Sequence, residues 1–227
     1  LTGESNRNDV ADIVLLVDRS TAMKPYADQL DSAVREICES MKGRGTVTLI
    51  SAGEVPALEF KGNPSQLTDF SSKALKTGYS DVVAFDLASR LAVNGLINSE
   101  KKHGIIYITN GSHDCNTFLK YGLSDLTTYM NNNGVSFSTV LLSQGSMSEE
   151  ISYITANTTG TSYYIYRPQG LGGVIDDIIG LPSGLYQFTY TSTLSTEYGR
   201  KYLPVEVETY MLNRSGRDET GYFAPLQ

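Results

Sequence analysis

Residues 12–18 read DIVLLVD, a continuous apolar run that ends in a carboxylate. A strand that alternates apolar and polar residues wets one face; a run without alternation is buried on both, as in a parallel sheet covered by helices. HGIIYITNG at residues 103–111 repeats the pattern, and VSFSTVLLS at 135–143 follows it. Between these runs lie stretches with apolar residues at helical spacing: Leu30, Ala33, Val34, Ile37 and Met41; Val83, Ala84, Leu87, Ala88 and Leu91; Leu119, Leu123, Leu126 and Met130. Pro25 stands near the start of the first of these, and the glycines of KGRG stop it. TSYYIYR at 161–167 reads as a further strand, and Leu171, Val174, Ile175, Ile178 and Ile179 as a last helix.

The exception is the pair TVTLISAG and ALEF, which are too close for a crossover of a dozen residues and therefore read as antiparallel strands at a sheet edge. Residues 64–76 read as a short helix. Ser146 with Glu149 has the spacing of a capping box opening the helix SMSEEISYITA. Strand and helix alternate at least five times, which predicts an α/β fold: a doubly wound, mostly parallel, Rossmann-like sheet with one antiparallel edge strand.

From LPSG onward the period changes to two. Tyr186, Phe188 and Tyr190 alternate with Gln187, Thr189 and Thr191, and Leu203, Val205 and Val207 with Pro204, Glu206 and Glu208, so half-exposed antiparallel strands are expected. The chain thus divides into an extension (1–11), an α/β domain (12–180) and a β appendage (181–227), expected to pack on the domain or on a β region from outside this sequence. Nine of the 15 tyrosines fall at or after Tyr163; three are assigned to the last strand of the domain and six to the appendage.

The 227 residues carry a net charge of −7, which argues against a nucleic-acid partner, because phosphate neutralisation needs clustered Lys and Arg. No apolar run is long enough to span a membrane. The chain opens at Leu1 and reads as an excised or processed fragment, with any signal peptide or anchor outside it. Cys38 and Cys115 fall in separate segments and are expected to be free thiols, although one disulfide is arithmetically open.

In an open parallel sheet, ligands bind beyond the carboxyl ends of the strands, near the switch in strand order. The segments there are Asp18-Arg19-Ser20-Thr21-Ala22-Met23, Gly78-Tyr79-Ser80-Asp81 and Thr109-Asn110-Gly111-Ser112, all rich in the oxygen ligands that suit a hard cation. On DIVLLVDRSTAM and GIIYITNGS the chain resembles the von Willebrand factor type A (VWA) domains, over roughly residues 11–180. The resemblance implies a metal-ion-dependent adhesion site, in which a divalent cation accepts a carboxylate from a partner protein. That site has three parts: Asp-x-Ser-x-Ser, a Thr before a helix, and an Asp-Gly after the central strand.

Carried over residue by residue, Asp18 and Ser20 stand at the first two positions, Ser80 (rather than Thr77) at the Thr, and Asn110 at the Asp. The implied cofactor is Mg²⁺ or Mn²⁺. Two departures weaken the site: Ala22 replaces the second Ser and removes an oxygen, and Asn110 replaces a carboxylate by an amide. Loss of an outer-shell partner alone costs ~10–100-fold in metal affinity, so the metal-free state stands as the alternative. Without metal, Ser20 and Thr21 would simply cap the following helix and Asp81 its own.

The tail, from Tyr186 to Tyr190 through Arg200-Lys201 and Val205 to Val207 to the close GYFAP, is similar to bacterial secreted proteins built on a related type A domain. That similarity implies an extracytoplasmic location, in the periplasm, at the cell surface or secreted. The expected function is a protein-interaction or adhesion module binding at the carboxyl end of the sheet through an acidic side chain of its partner. The alternative is a metal-free scaffold that uses the tyrosine-rich appendage. His113 and Cys115 lie close in one loop, but zinc needs three or four such ligands, and an enzyme is not expected.

Overall fold

The run at 12–18 becomes the middle of a six-stranded sheet. The computed structural model describes residues 2–3, 10–112, 118–181, 186–187, 191–195, 197–211 and 214–224. In chain order the elements are β1 (Thr2–Gly3), β2 (Ala11–Asp18), α1 (Ala27–Ser40), β3 (Gly45–Ala52), β4 (Ala57–Gly62), α2 (Pro64–Ala74), α3 (Phe85–Asn94), β5 (Lys102–Thr109), α4 (Leu123–Asn132), β6 (Ser136–Leu141), α5 (Glu149–Asn157), β7 (Ser162–Tyr164), α6 (Gly173–Gly180), β8 (Tyr186–Gln187), β9 (Tyr202–Met211) and β10 (Arg214–Phe223). They fall into two units: Ser5–Gly184, and Leu1–Glu4 with Leu185–Gln227.

In the first unit the strand order is β4-β3-β2-β5-β6-β7. All neighbours are parallel except β3 and β4, which pair antiparallel at the edge. The period-two geometry of β2 sends successive side chains to opposite faces. Ile13, Leu15 and Val17 pack with Leu30, Val34 and Ile37 of α1 and Val174 and Ile178 of α6. Val14 and Leu16 face Phe85 and Ala88 of α3, Leu126 of α4 and Ile154 of α5. Each large apolar side chain so buried contributes roughly 1.5–3 kcal/mol relative to exposure, and both clusters require the helices that flank the sheet.

The crossover from β2 runs through α1 to β3 on one side; the crossover from its neighbour β5 runs through α4 to β6 on the other. Adjacent strands whose crossovers diverge leave a crevice at their carboxyl ends. That is where Asp18 and Thr109 end their strands.

Pro25 stands near the start of α1 as expected, inside a 3-10 turn, Thr21–Tyr26, that precedes it. Other local expectations are corrected. The cap of α5 is Ser148, whose hydroxyl accepts from Ile151 N, not Ser146. β7 stops at Tyr164, because the chain turns there, with Arg167 N donating to Tyr164 O. Tyr166 is therefore outside the strand and 56% exposed.

The second unit holds an antiparallel hairpin of β9 and β10, with Tyr202 opposite Phe223 and Met211 opposite Arg214. β1 pairs antiparallel with β8, so Thr2 and Gly3 of the extension are themselves in a small sheet. Residues 188–190, read as the continuation of the Tyr186 strand, lie outside the described residues. Arg217 donates to Glu206 and Glu219 across the hairpin surface. Leu203 is buried while Tyr210 is 74% exposed.

Candidate binding site at the carboxyl end of the sheet

Asp18, the last residue of β2, is fully buried. Its Oδ1 accepts from Ser20 N at 2.8 Å and its Oδ2 from Thr109 Oγ1 at 2.7 Å. Thr109 Oγ1 in turn accepts from Gly111 N at 3.1 Å. One carboxylate thus joins the ends of the two strands that flank the crevice. The chain turns sharply after β5, and Gly111 takes φ +89°, where a Cβ would lie 2.7 Å from Leu141 Cδ2. Glycine alone meets both demands.

The segment before α3 is stitched to the segment after β2. Ser20 and Ser80 form an isolated parallel bridge, Thr21 N donates to Ser80 O at 2.9 Å, and Ser80 N to Arg19 O at 2.8 Å. Thr21 Oγ1 donates to Asp81 Oδ1 at 2.9 Å, and Ser80 Oγ accepts from Val82 N at 3.2 Å. In the third loop, Asn110 Oδ1 accepts from Ser112 N at 3.0 Å and Asn110 Nδ2 donates to Ala22 O at 3.4 Å. The structure therefore gathers the loops of Asp18, Ser20, Ser80 and Asn110 at one place. The capping roles weighed for these loops are not taken up: Ser20 occupies the cap position without a side-chain bond, Thr21 and Asp81 bond each other, and the residue before α3 is Ala84.

The donor set is a poor fit to a divalent cation. Ala22 supplies no side-chain oxygen. Asn110 turns an NH₂, which has no lone pair to give, toward the first loop. Asp81 is the second carboxylate nearby, and one of its oxygens serves Thr21. Among the described residues no three His, Cys, Asp or Glu side chains group as a metal site. Mg²⁺ asks for near-ideal octahedral oxygen geometry and dehydrates reluctantly. These residues tie the loops by hydrogen bonds: Asp18 joins β2 to β5, and the Asn110 amide joins the third loop to the first.

Sequence reading passed over Arg19. It is 3% exposed, and its guanidinium donates through Nε to Ser51 Oγ (3.1 Å), through Nη1 to Leu75 O (2.9 Å) and through Nη2 to Ala74 O (2.6 Å). It also lies 5.6 Å from the centre of the Tyr79 ring. Burial pulls the guanidinium below its ordinary pKa. Thr109, at the start of the third loop, anchors Asp18. His113, Asp114 and Cys115 lie outside the described residues. Cys38 is a free thiol inside the core, and burial pushes it up to about 12.

No protein-family model matches the sequence, and no curated protein sequence matches it. Solved structures do match the fold. An aerotolerance-related membrane protein from Bacteroides fragilis NCTC 9343, solved with multiple mutations to serines, is similar over 74% of this chain and 98% of its own, at 13% identity and TM-score 0.59. The SpRpn10 VWA domain is similar over 75% of this chain and 94% of its own, at 13% identity and TM-score 0.53. Proximal thread matrix protein 1 from the mussel byssus, solved with zinc in its metal-ion-dependent adhesion motif, is similar over 82% of this chain and 50% of its own, at 13% identity and TM-score 0.60. At such identities the likeness establishes the fold: the chain has the VWA fold.

Proposed function

We propose that this chain, built on the VWA fold, is a protein-interaction module that acts outside the cytoplasm and binds its partner at the carboxyl end of the six-stranded sheet without a cation. The observation that carries the reading is the loop cluster, in which three polar segments converge at the switch point and are held by their own hydrogen bonds. Two apolar side chains stand open at this end, Val55 at 79% and Val82 at 44% exposure. Exposed apolar groups rimmed by polar ones mark interaction surfaces. The extracytoplasmic assignment is supported by the GYFAP-type tail and by a solved neighbour that is itself named a membrane protein. Among the described residues no helix is long and apolar enough to cross a membrane.

The test is retrieval of protein from the source cells on the immobilised chain, with EDTA or with about 5 mM Mg²⁺. Equal recovery in both, lost on substituting Val55→Asp together with Val82→Asp, is the expected result. Recovery that needs Mg²⁺, or that survives the double substitution, overturns the reading. A second surface has its own observation: Tyr202, Tyr210 and Phe223 of the hairpin are 52%, 74% and 61% exposed, and tyrosine gives large contact area with a polar tip. If that surface is the interface, Tyr210→Ser with Phe223→Ser abolishes recovery and the valine pair does not.

The reading also takes the chain to be a binding module and not an enzyme. With its thiol pushed up to about 12, Cys38 holds only ~1 in 10⁴ molecules as thiolate at pH 8. Iodoacetamide at that pH is expected to leave Cys38 unmodified in the native protein and to modify it after denaturation, as read by peptide mass spectrometry. Rapid labelling of native Cys38 would show an activated thiol.

A further inference from the structure

Three asparagines of this chain precede a glycine: Asn94, Asn110 and Asn133. An Asn-Gly pair is open to cyclisation, in which the glycine nitrogen attacks the asparagine Cγ and expels ammonia, because no Cβ on the glycine hinders the approach. The three pairs sit in different hydrogen-bond settings. Gly95 N donates to Leu91 O and Gly134 N to Asn131 O, each at 3.1 Å. A main-chain carbonyl passes no proton on. Asn94 Oδ1 accepts from the Tyr129 hydroxyl and Asn133 Nδ2 donates to Tyr129 O, each at 2.7 Å, so both side chains are engaged with Tyr129.

Asn110 differs on each count. Gly111 N donates to Thr109 Oγ1 at 3.1 Å, and that hydroxyl donates to Asp18 Oδ2 at 2.7 Å. Amide, hydroxyl and buried carboxylate form a chain along which the amide proton can leave, as to a general base acting through a relay. Asn110 Oδ1 accepts from Ser112 N, two residues on, at 3.0 Å. Such a turn folds the side chain back over its own following peptide bond. The same N–H stabilises the negative charge that develops on Oδ1 during attack. The Gly111 N–H bond lies in the peptide plane, so its hydrogen bond leaves the faces of the nitrogen open to Cγ. Asn110 Nδ2, the leaving group, is held only by a long bond of 3.4 Å to Ala22 O.

We propose that Asn110-Gly111 is a self-modification site, at which the fold promotes conversion of Asn110 to an aspartyl residue. The bond from Gly111 N to Asn110 Cγ forms as the Cγ–Nδ2 bond breaks. The amide proton passes to the Thr109–Asp18 pair and is returned to the leaving nitrogen, which departs as ammonia. Water, which reaches the half-buried Asn110, then opens the five-membered imide at either carbonyl to give aspartate or isoaspartate. The net change consumes water and releases ammonia. Both products lack the NH₂ that ties the third loop to Ala22 O, so the modification unfastens two loops of the crevice with time, whatever the chain binds there.

The experiment incubates the full chain in ¹⁸O-labelled water at neutral pH, folded or unfolded in urea, and follows the label by peptide mass spectrometry. A positioned base contributes ~10²–10⁴-fold and the rigidity of the turn opposes it, so Asn110 is expected to gain label at least ~10-fold faster in the folded chain than in the unfolded one. Asn94 and Asn133, in the same digests, are expected to react more slowly folded than unfolded. Thr109→Val should abolish the acceleration at Asn110, and Thr109→Ser, which keeps the hydroxyl, should preserve it. Labelling of Asn110 no faster folded than unfolded, or an equal acceleration at Asn94 or Asn133, overturns the site, and that comparison needs no variant to fold. Acceleration that persists in folded Thr109→Val also overturns it, because the relay then carries no proton.

Discussion

Replacing Asp18 by Ala is expected to destabilise the protein by about 3–5 kcal/mol, and by the same amount in EDTA and in Mg²⁺. Two buried donors lose their acceptor, Ser20 N–H and Thr109 Oγ1–H. An orphaned buried donor costs ~1–3 kcal/mol, more where the lost partner was charged. The damage spreads, because Thr109 Oγ1 also accepts from Gly111 N and so fixes the turn out of β5. For a chain of this size ~1 kcal/mol moves the melting temperature by roughly 2–4 °C, giving a fall of about 6–20 °C. Asp18→Asn keeps one acceptor but must aim an NH₂ at the other donor, and should fall between. Thermal melts with and without cation measure the effect. If the loss shows only in Mg²⁺, Asp18 is a metal ligand and not a structural clasp.

That Asp18 matters was legible in the sequence; why it matters was not. The apolar run before it placed it at a strand's carboxyl end, and the alternation of strands and helices placed that end at a crevice. The antiparallel edge was equally readable, because the gap between Ala52 and Ala57 is too short for a crossover. Where two candidates of one type competed, sequence could not choose. Ser146 and Ser148 both precede a glutamate-rich first turn, and Ser148 wins because its N–H meets Gly111 O and sets it at the helix start. Residues 161–167 read as one strand, yet only Ser162–Tyr164 pair with β6 before the chain turns.

Arg19 shows the same limit within the site. An arginine in a loop is by default a solvated charge. Nothing in DRSTAM says that the carboxyl end of α2, more than fifty residues away in sequence, will supply Ala74 O and Leu75 O to bury it. The amide of Asn110 was legible as the loss of a carboxylate. That its NH₂ would reach Ala22 O depends on two loops meeting across the switch point.

Restoring the motif tests that meeting directly. Ala22→Ser with Asn110→Asp is expected to turn a cation-indifferent protein into a cation-dependent one. Asn110→Asp removes the donor to Ala22 O and adds a carboxylate to a cluster that already buries Asp18 and has Asp81 nearby. Without a cation the lost bond and like-charge repulsion should lower stability by roughly 2–3 kcal/mol. Ala22→Ser alone should change little, since it adds a hydroxyl at a half-buried position without removing a partner. Together they offer two carboxylates and three hydroxyls from three loops that the backbone already holds in place. A ligand at ~100 times its dissociation constant stabilises by about 2.7 kcal/mol, enough to offset the loss and raise the melting temperature of the double variant by roughly 5–11 °C in Mg²⁺. The parent chain should show no shift at the same concentration. A response in the parent would mean that the amide of Asn110 yields to a cation. The absence of one in the double variant would mean that the loops, although close, are held by Asp18 and the Ser20–Ser80 bridge in an arrangement that side-chain chemistry alone cannot make into a metal site.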